Sequence, residues 1–135
     1  MVCLDTSFLI DVIKGKEEVN TLEEELVNRG TVLTIASPSI VEIFKGLYLK
    51  YKLKHVSGDE ISRIGEILST FVILSLDKDS AEFTGRIEAE QINTGKIIDI
   101  EDIMIGAICV TNHEKLLTRN VKHFEKIHGL EIEAY

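Results

Sequence analysis

Polar side chains, acidic at three of the places, fall at four separated points in this chain, each beside an apolar segment. Asp5 closes the run Val2–Leu4, and Glu42 stands between Val41 and Ile43. Asp99 and Asp102 flank the start of the apolar stretch Ile100–Asn112, and Thr118, Arg119 and Asn120 follow Leu116-Leu117. Carboxylates forced together repel, raise one another's pKa and cost stability unless a cation neutralises them. An oxygen-only set suits Mg²⁺ or Mn²⁺, hard cations that keep several waters. A cation held this way lowers the pKa of a bound water and offsets charge building on a phosphodiester. The pattern therefore points to hydrolytic phosphodiester chemistry.

Each acid also has a plainer explanation. Asp5 before Thr6-Ser7 fits a helix cap, Glu42 fits a solvent-facing side chain, and Asp102 at a helix start is stabilised by the helix dipole. Asp99 and Glu101 fit a solvated surface. The joint placement of the acids carries the reading.

The elements that must position these acids alternate. Val2–Leu4 reads as a buried strand, and Thr6 caps a helix through Ile13. Glu17–Asn28 carries an apolar stripe among acids and stops at Gly30. Thr31–Ala36 is β-branched and continuous, the mark of a strand covered on both faces. Ser37-Pro38 opens a helix with Ser as N-cap, whose apolar period runs to about Leu53. A turn at residues 57–60 caps a helix Glu60–Ser69, and Phe71–Leu76 is a second buried run. A helix from Asp77 to about Asn93 closes at Gly95, and Ile100–Asn112 is a central packed helix. Leu116–Thr118 is a short strand, Val121–Phe124 a helical turn and Leu130–Glu133 an edge strand. This alternation predicts one α/β domain over residues 1–135, a three-layer α/β/α sandwich with a mainly parallel sheet. In such sheets the working residues gather beyond the carboxyl ends of the strands.

Composition narrows the classes. The chain has 135 residues, long enough to bury about two-thirds of its unfolded surface in one core. No apolar run reaches the ~20 residues that span a bilayer, and MVCLDTSFLI lacks the basic start of a signal peptide, so a cytoplasmic location is expected. Cys3 and Cys109 lie in apolar runs without CxxC spacing and read as reduced core residues. The net charge of −8 opposes nucleic-acid binding on average. Yet residues 43–58 hold Lys45, Lys50, Lys52 and Lys54 and no acid, so a local basic face remains available.

Four segments in series, LDTSFLID, PSIVEIFKG, IEDIMIGAICV and LLTRNVKHFEKIHGLEI, together resemble the PIN domain, closest to the toxin ribonucleases of VapBC toxin–antitoxin modules. The likeness runs in order over nearly the whole chain. It implies an Mg²⁺- or Mn²⁺-dependent endoribonuclease, a homodimer, an RNA substrate and a small inhibitory antitoxin partner. Position by position it makes Asp5, Glu42 and Asp102 the metal ligands and Asn120 the fourth catalytic corner. Ser7, Thr6 and Thr118 would support them as hydroxyls, with Asp99 as an extra outer ligand. Asn120 replaces an acid with a neutral amide, which favours one metal over two. His123 stands where the family pattern often has an acid. Arg119, Lys45 and Lys50 would hold RNA.

Other classes fit less well. A phospho-acceptor receiver domain expects two acids after the first strand, and residues 5–7 read Asp-Thr-Ser, leaving Asp77 as the only acceptor. A haloacid dehalogenase-type phosphatase expects Asp-x-Asp at the same place. An RNA-processing PIN nuclease outside a toxin module and a catalytically silent PIN module share the fold.

Overall fold

The computed structural model describes residues 1–52 and 54–135. Its five strands are β1 (Val2–Leu4), β2 (Leu33–Ala36), β3 (Val72–Leu74), β4 (Lys115–Thr118) and β5 (Ile132–Ala134). They form one sheet in the order β3-β2-β1-β4-β5, and every pair is parallel. Seven helices connect them: α1 (Thr6–Ile13), α2 (Glu17–Asn28), α3 (Ser37–Lys50), α4 (Gly58–Leu68), α5 (Lys78–Asn93), α6 (Ile100–Thr111) and α7 (Val121–Phe124). No helix among the described residues is long and apolar enough to cross a membrane.

Alternation along the strands divides the interior in two. Leu4, Ile35 and Leu117 point to one face, where they pack with Phe8, Leu9, Ile43 and Leu47 under α1–α4. Cys3, Ala36 and Leu116 point to the other, where Ile103, Ile105, Ile108 and Phe124 come from α6 and α7. Three layers result, as the alternation of elements predicts. Both cysteines are buried and free.

Parallel pairing sends every strand's carboxyl end to the same edge. Leu4 lies level with Ile35 and Leu117, so Asp5, Ala36 and Thr118 emerge side by side.

Four local expectations need correction. Residues 71–76 do not form a strand covered on both faces: β3 is the sheet's edge, and Val72 and Ile73 are 51% and 46% exposed. The cap of α1 is Asp5 rather than Thr6, because the Asp5 carboxylate reaches the Thr6 amide. Ser37 lies inside α3 with Ala36 at the cap position, and its hydroxyl instead accepts from the Leu76 amide at 3.2 Å, tying β2 to the end of β3. Asp77 is the cap of α5, closed in a reciprocal pair with Ser80, so the candidate phospho-acceptor is occupied as a helix cap. The expected end of α3 at Leu53 lies outside the described residues.

Candidate active site

Asp5 is the fixed point of the carboxyl edge. It leaves β1 with extended backbone and caps α1, its Oδ1 accepting from the Thr6 amide at 2.8 Å. Its Oδ2 accepts from Ser7 Oγ at 2.9 Å and from Thr118 Oγ1 at 2.7 Å. Three donors from two segments orient a carboxylate that is 3% exposed. The cap and the site are one residue.

The second acid arrives on α3. Pro38 in the first turn starts this helix where β2 ends, and Glu42 follows one turn later, half-buried. The Thr6 hydroxyl lies 2.9 Å from Ser39 Oγ and 3.3 Å from Glu42 Oε1, and its single proton serves one of them at a time. Burial pushes the Glu42 carboxyl up to about 7, and the charges of Asp102, Asp5 and Glu101 add to the rise against the pull of Thr6.

Asp102 sits in the first turn of α6, a helix otherwise buried through Ile103, Ile105 and Ala107. Burial raises its pKa, with the Asp5 and Asp99 charges acting the same way and His123 opposing them. His123 Nδ1 lies 3.4 Å from Asp102 Oδ2. Glu42 thus senses the charges of Asp102 and Asp5, and Asp102 that of Asp5, across three elements.

Among the described residues, no three His, Cys, Asp or Glu side chains already stand as a ready metal cage. The donor set is nonetheless oxygen only, and burial with neighbouring charge disfavours the ionised forms of Glu42 and Asp102. Those properties fit a hard divalent cation, which would replace the proton that burial and repulsion retain.

The supporting positions divide. Thr6, Ser7 and Thr118 join the hydrogen-bond network directly. Asn120 is exposed, and its amide N–H donates to Thr118 Oγ1 at 2.9 Å, so its backbone rather than its side chain is tied to the site. Asp99 occupies the cap position of α6 without a capping bond and is exposed beside Asp102.

The three cations assigned to RNA are committed elsewhere. Arg119 Nη2 meets Asp11 Oδ2 at 2.7 Å, Lys45 Nζ lies 3.7 Å from Glu101, and Lys50 Nζ lies 3.9 Å from Glu60. Two of the four lysines in the stretch 43–58, Lys45 and Lys50, thus face acids from other elements.

Sequence reasoning missed three contributors. Ser39 is fully buried against Thr6. Asp11, 1% exposed, holds Arg119 on one side and Lys16 on the other, each at 2.7 Å. The Tyr135 ring stacks edge-on to Phe8 at 5.1 Å, with the Arg119 guanidinium 6.0 Å from its centroid and its hydroxyl 3.5 Å from Ser7 Oγ. The recognisable signal was Asp11, an acid amid the apolar residues of LDTSFLID.

An all-parallel sheet between helical layers, with an acidic pocket at its carboxyl edge, defines the class of protein. The PIN domain family matches residues 2–130, and the chain belongs to that family. It is similar to ribonuclease VapC19 of Mycobacterium tuberculosis, 25% identical over 131 residues, covering 97% of this chain and 98% of the relative. It is also similar to the tRNA(fMet)-specific endonuclease VapC of Shigella flexneri, 27% identical over 132 residues, covering 98% and 96%. Among solved structures, DNA-bound VapBC from Salmonella typhimurium superposes with a TM-score of 0.80 at 27% identity, over 99% of this chain and 98% of that one.

Proposed function

We propose that this chain is a divalent-cation-dependent endoribonuclease that hydrolyses RNA phosphodiester bonds as the toxin of a toxin–antitoxin pair. The convergence of Asp5, Glu42 and Asp102 at the carboxyl edge carries the reading. Family membership and the ribonuclease names of its relatives support it.

These three residues would hold Mg²⁺ or Mn²⁺, which when bound supplies Lewis acidity and charge neutralisation at a phosphodiester. Asp5 provides a preset carboxylate, because Ser7, Thr118 and the Thr6 amide orient both its oxygens. Glu42, whose carboxyl is pushed up to about 7, would hold the cation in its deprotonated form. Asp102 is steered by His123. The segment after β4 adds no carboxylate, since Asn120 is a neutral amide tied to the site through its backbone. The proposal is therefore for one tightly held ion.

The VapBC likeness supports an inhibitory protein partner for this chain. Incubation of RNA with the purified protein, with Mg²⁺ and with excess EDTA, tests the activity. Internal cleavage that EDTA abolishes is expected, and cleavage that persists in EDTA contradicts it.

A further inference from the structure

The three sequence-assigned RNA cations are all paired, which leaves open what grips the polyanion. Beside the acidic pocket lies a cleft of about 450 Å³ between the start of α6 and α7, lined by Ile98, Asp99, Asp102, Lys122, His123 and Lys126. Asp102 is shared with the acidic site, so cleft and site are continuous. Lys122 on α7 and Lys126 in the following turn are exposed, and neither lies within ion-pair distance of a carboxylate among the described residues.

The opposite flank differs in kind. Its groove, of about 540 Å³, has an apolar floor that includes Ile10, Ile43, Leu47 and Ile64. Glu42 lines it as well, so it too adjoins the acidic site. There Lys50 pairs with Glu60, and the Arg63 guanidinium donates to the Ile13 carbonyl. Of the cations in this groove, Lys14 alone is exposed with no such side-chain partner among the described residues. Phosphate contacts need cations that are free to exchange their counterions. The α7 side holds two such cations side by side, Lys122 and Lys126, against the single Lys14 of the opposite groove.

We propose that the RNA strand runs out of the acidic pocket along α7, with Lys122 and Lys126 holding backbone phosphates that flank the scissile one. This rests on the ribonuclease reading above. The cleft then has two signs for two tasks. Its acids would hold the cation, and its lysines neutralise the phosphates on either side of the scissile one. α7 is well placed to do this because the loop before it is tied to Asp5 through Thr118, and Phe124 anchors it in the core.

The test compares Lys122→Ala/Lys126→Ala with Lys45→Ala/Lys50→Ala on a labelled single-stranded oligoribonucleotide and on a tRNA. Cleavage is followed in Mg²⁺, binding in EDTA across a salt series, and folding by circular dichroism. The α7 pair is expected to raise KM about tenfold, with the loss falling on KM rather than kcat, and to flatten the log–log salt slope by about 1.4, the value for two single-strand phosphate contacts. The α3 pair is expected to cost several-fold less. Wild-type cleavage with an unaltered slope in the folded α7 variant, or an equal loss from the α3 pair, overturns the proposal and spares the ribonuclease reading. A wild type that neither binds nor cleaves either RNA overturns both.

Discussion

Thr118 Oγ1 donates to Asp5 Oδ2 at 2.7 Å, joining residues 113 positions apart at the adjacent ends of β4 and β1. Both side chains are buried. Thr118→Val keeps the shape and removes the donor. A hydrogen bond to a charged group contributes about 1.5–3 kcal/mol, so the urea midpoint should fall correspondingly. Cleavage should also drop, because only Ser7 would still orient Asp5 Oδ2.

The raised Glu42 pKa gives the cation-free protein a pH dependence with a definite sign. The folded state keeps the proton up to about 7, whereas the unfolded chain releases it near the ordinary glutamate value of 4.5. Stability from this group is therefore full below about 4.5 and is lost as pH rises through 7. The melting temperature in EDTA should fall between pH 5 and pH 8, and less so in Glu42→Gln. Mg²⁺ should restore more stability at pH 8 than at pH 5, and equal Mg²⁺ stabilisation at both would contradict the placement of Glu42 in the cation site.

Asp11 makes the opposite prediction. Burial alone would raise its carboxyl, but Lys16 and Arg119 outweigh burial and hold it below 3.8. Its contribution is present above about 3.8 and is lost as pH falls through the lower folded value. Asp11→Asn should cost about 1.5–3 kcal/mol at neutral pH, toward the low end because Lys16 and Arg119 can turn to water. The same variant should show a shallower loss of stability on acidification. Arg119→Ala should also lower stability, since the guanidinium is a clamp on α1.

Gly106 is where α6 meets the turn after α7. A Cβ there would stand 2.5 Å from Ile127 Cδ1. Gly106→Ala should cost about 1–3 kcal/mol by overpacking, and Ile127→Val in the same chain should recover part of it in urea melts.

Sequence reasoning reached the layered fold because apolar runs and acidic amphipathic stretches alternate clearly. It reached Asp5, Glu42 and Asp102 because strand ends and helix starts were legible. It misjudged 71–76, since composition cannot distinguish an apolar edge strand from a central one. Lys45 and Lys50 looked free because their partners, Glu101 and Glu60, lie on other elements. Asp11 and Arg119 are 108 positions apart by number, and only folding reveals their pairing.

The central claim is that Asp5, Glu42 and Asp102 form a cation-dependent site for RNA cleavage. The direct measurement is RNA cleavage in Mg²⁺ by wild type and Asp5→Asn, with circular dichroism on both. The amide keeps the size of the side chain but removes the charge offered to the cation. Cleavage by the wild type and none by a folded Asp5→Asn is predicted. Equal Mg²⁺-dependent cleavage by both would contradict the account.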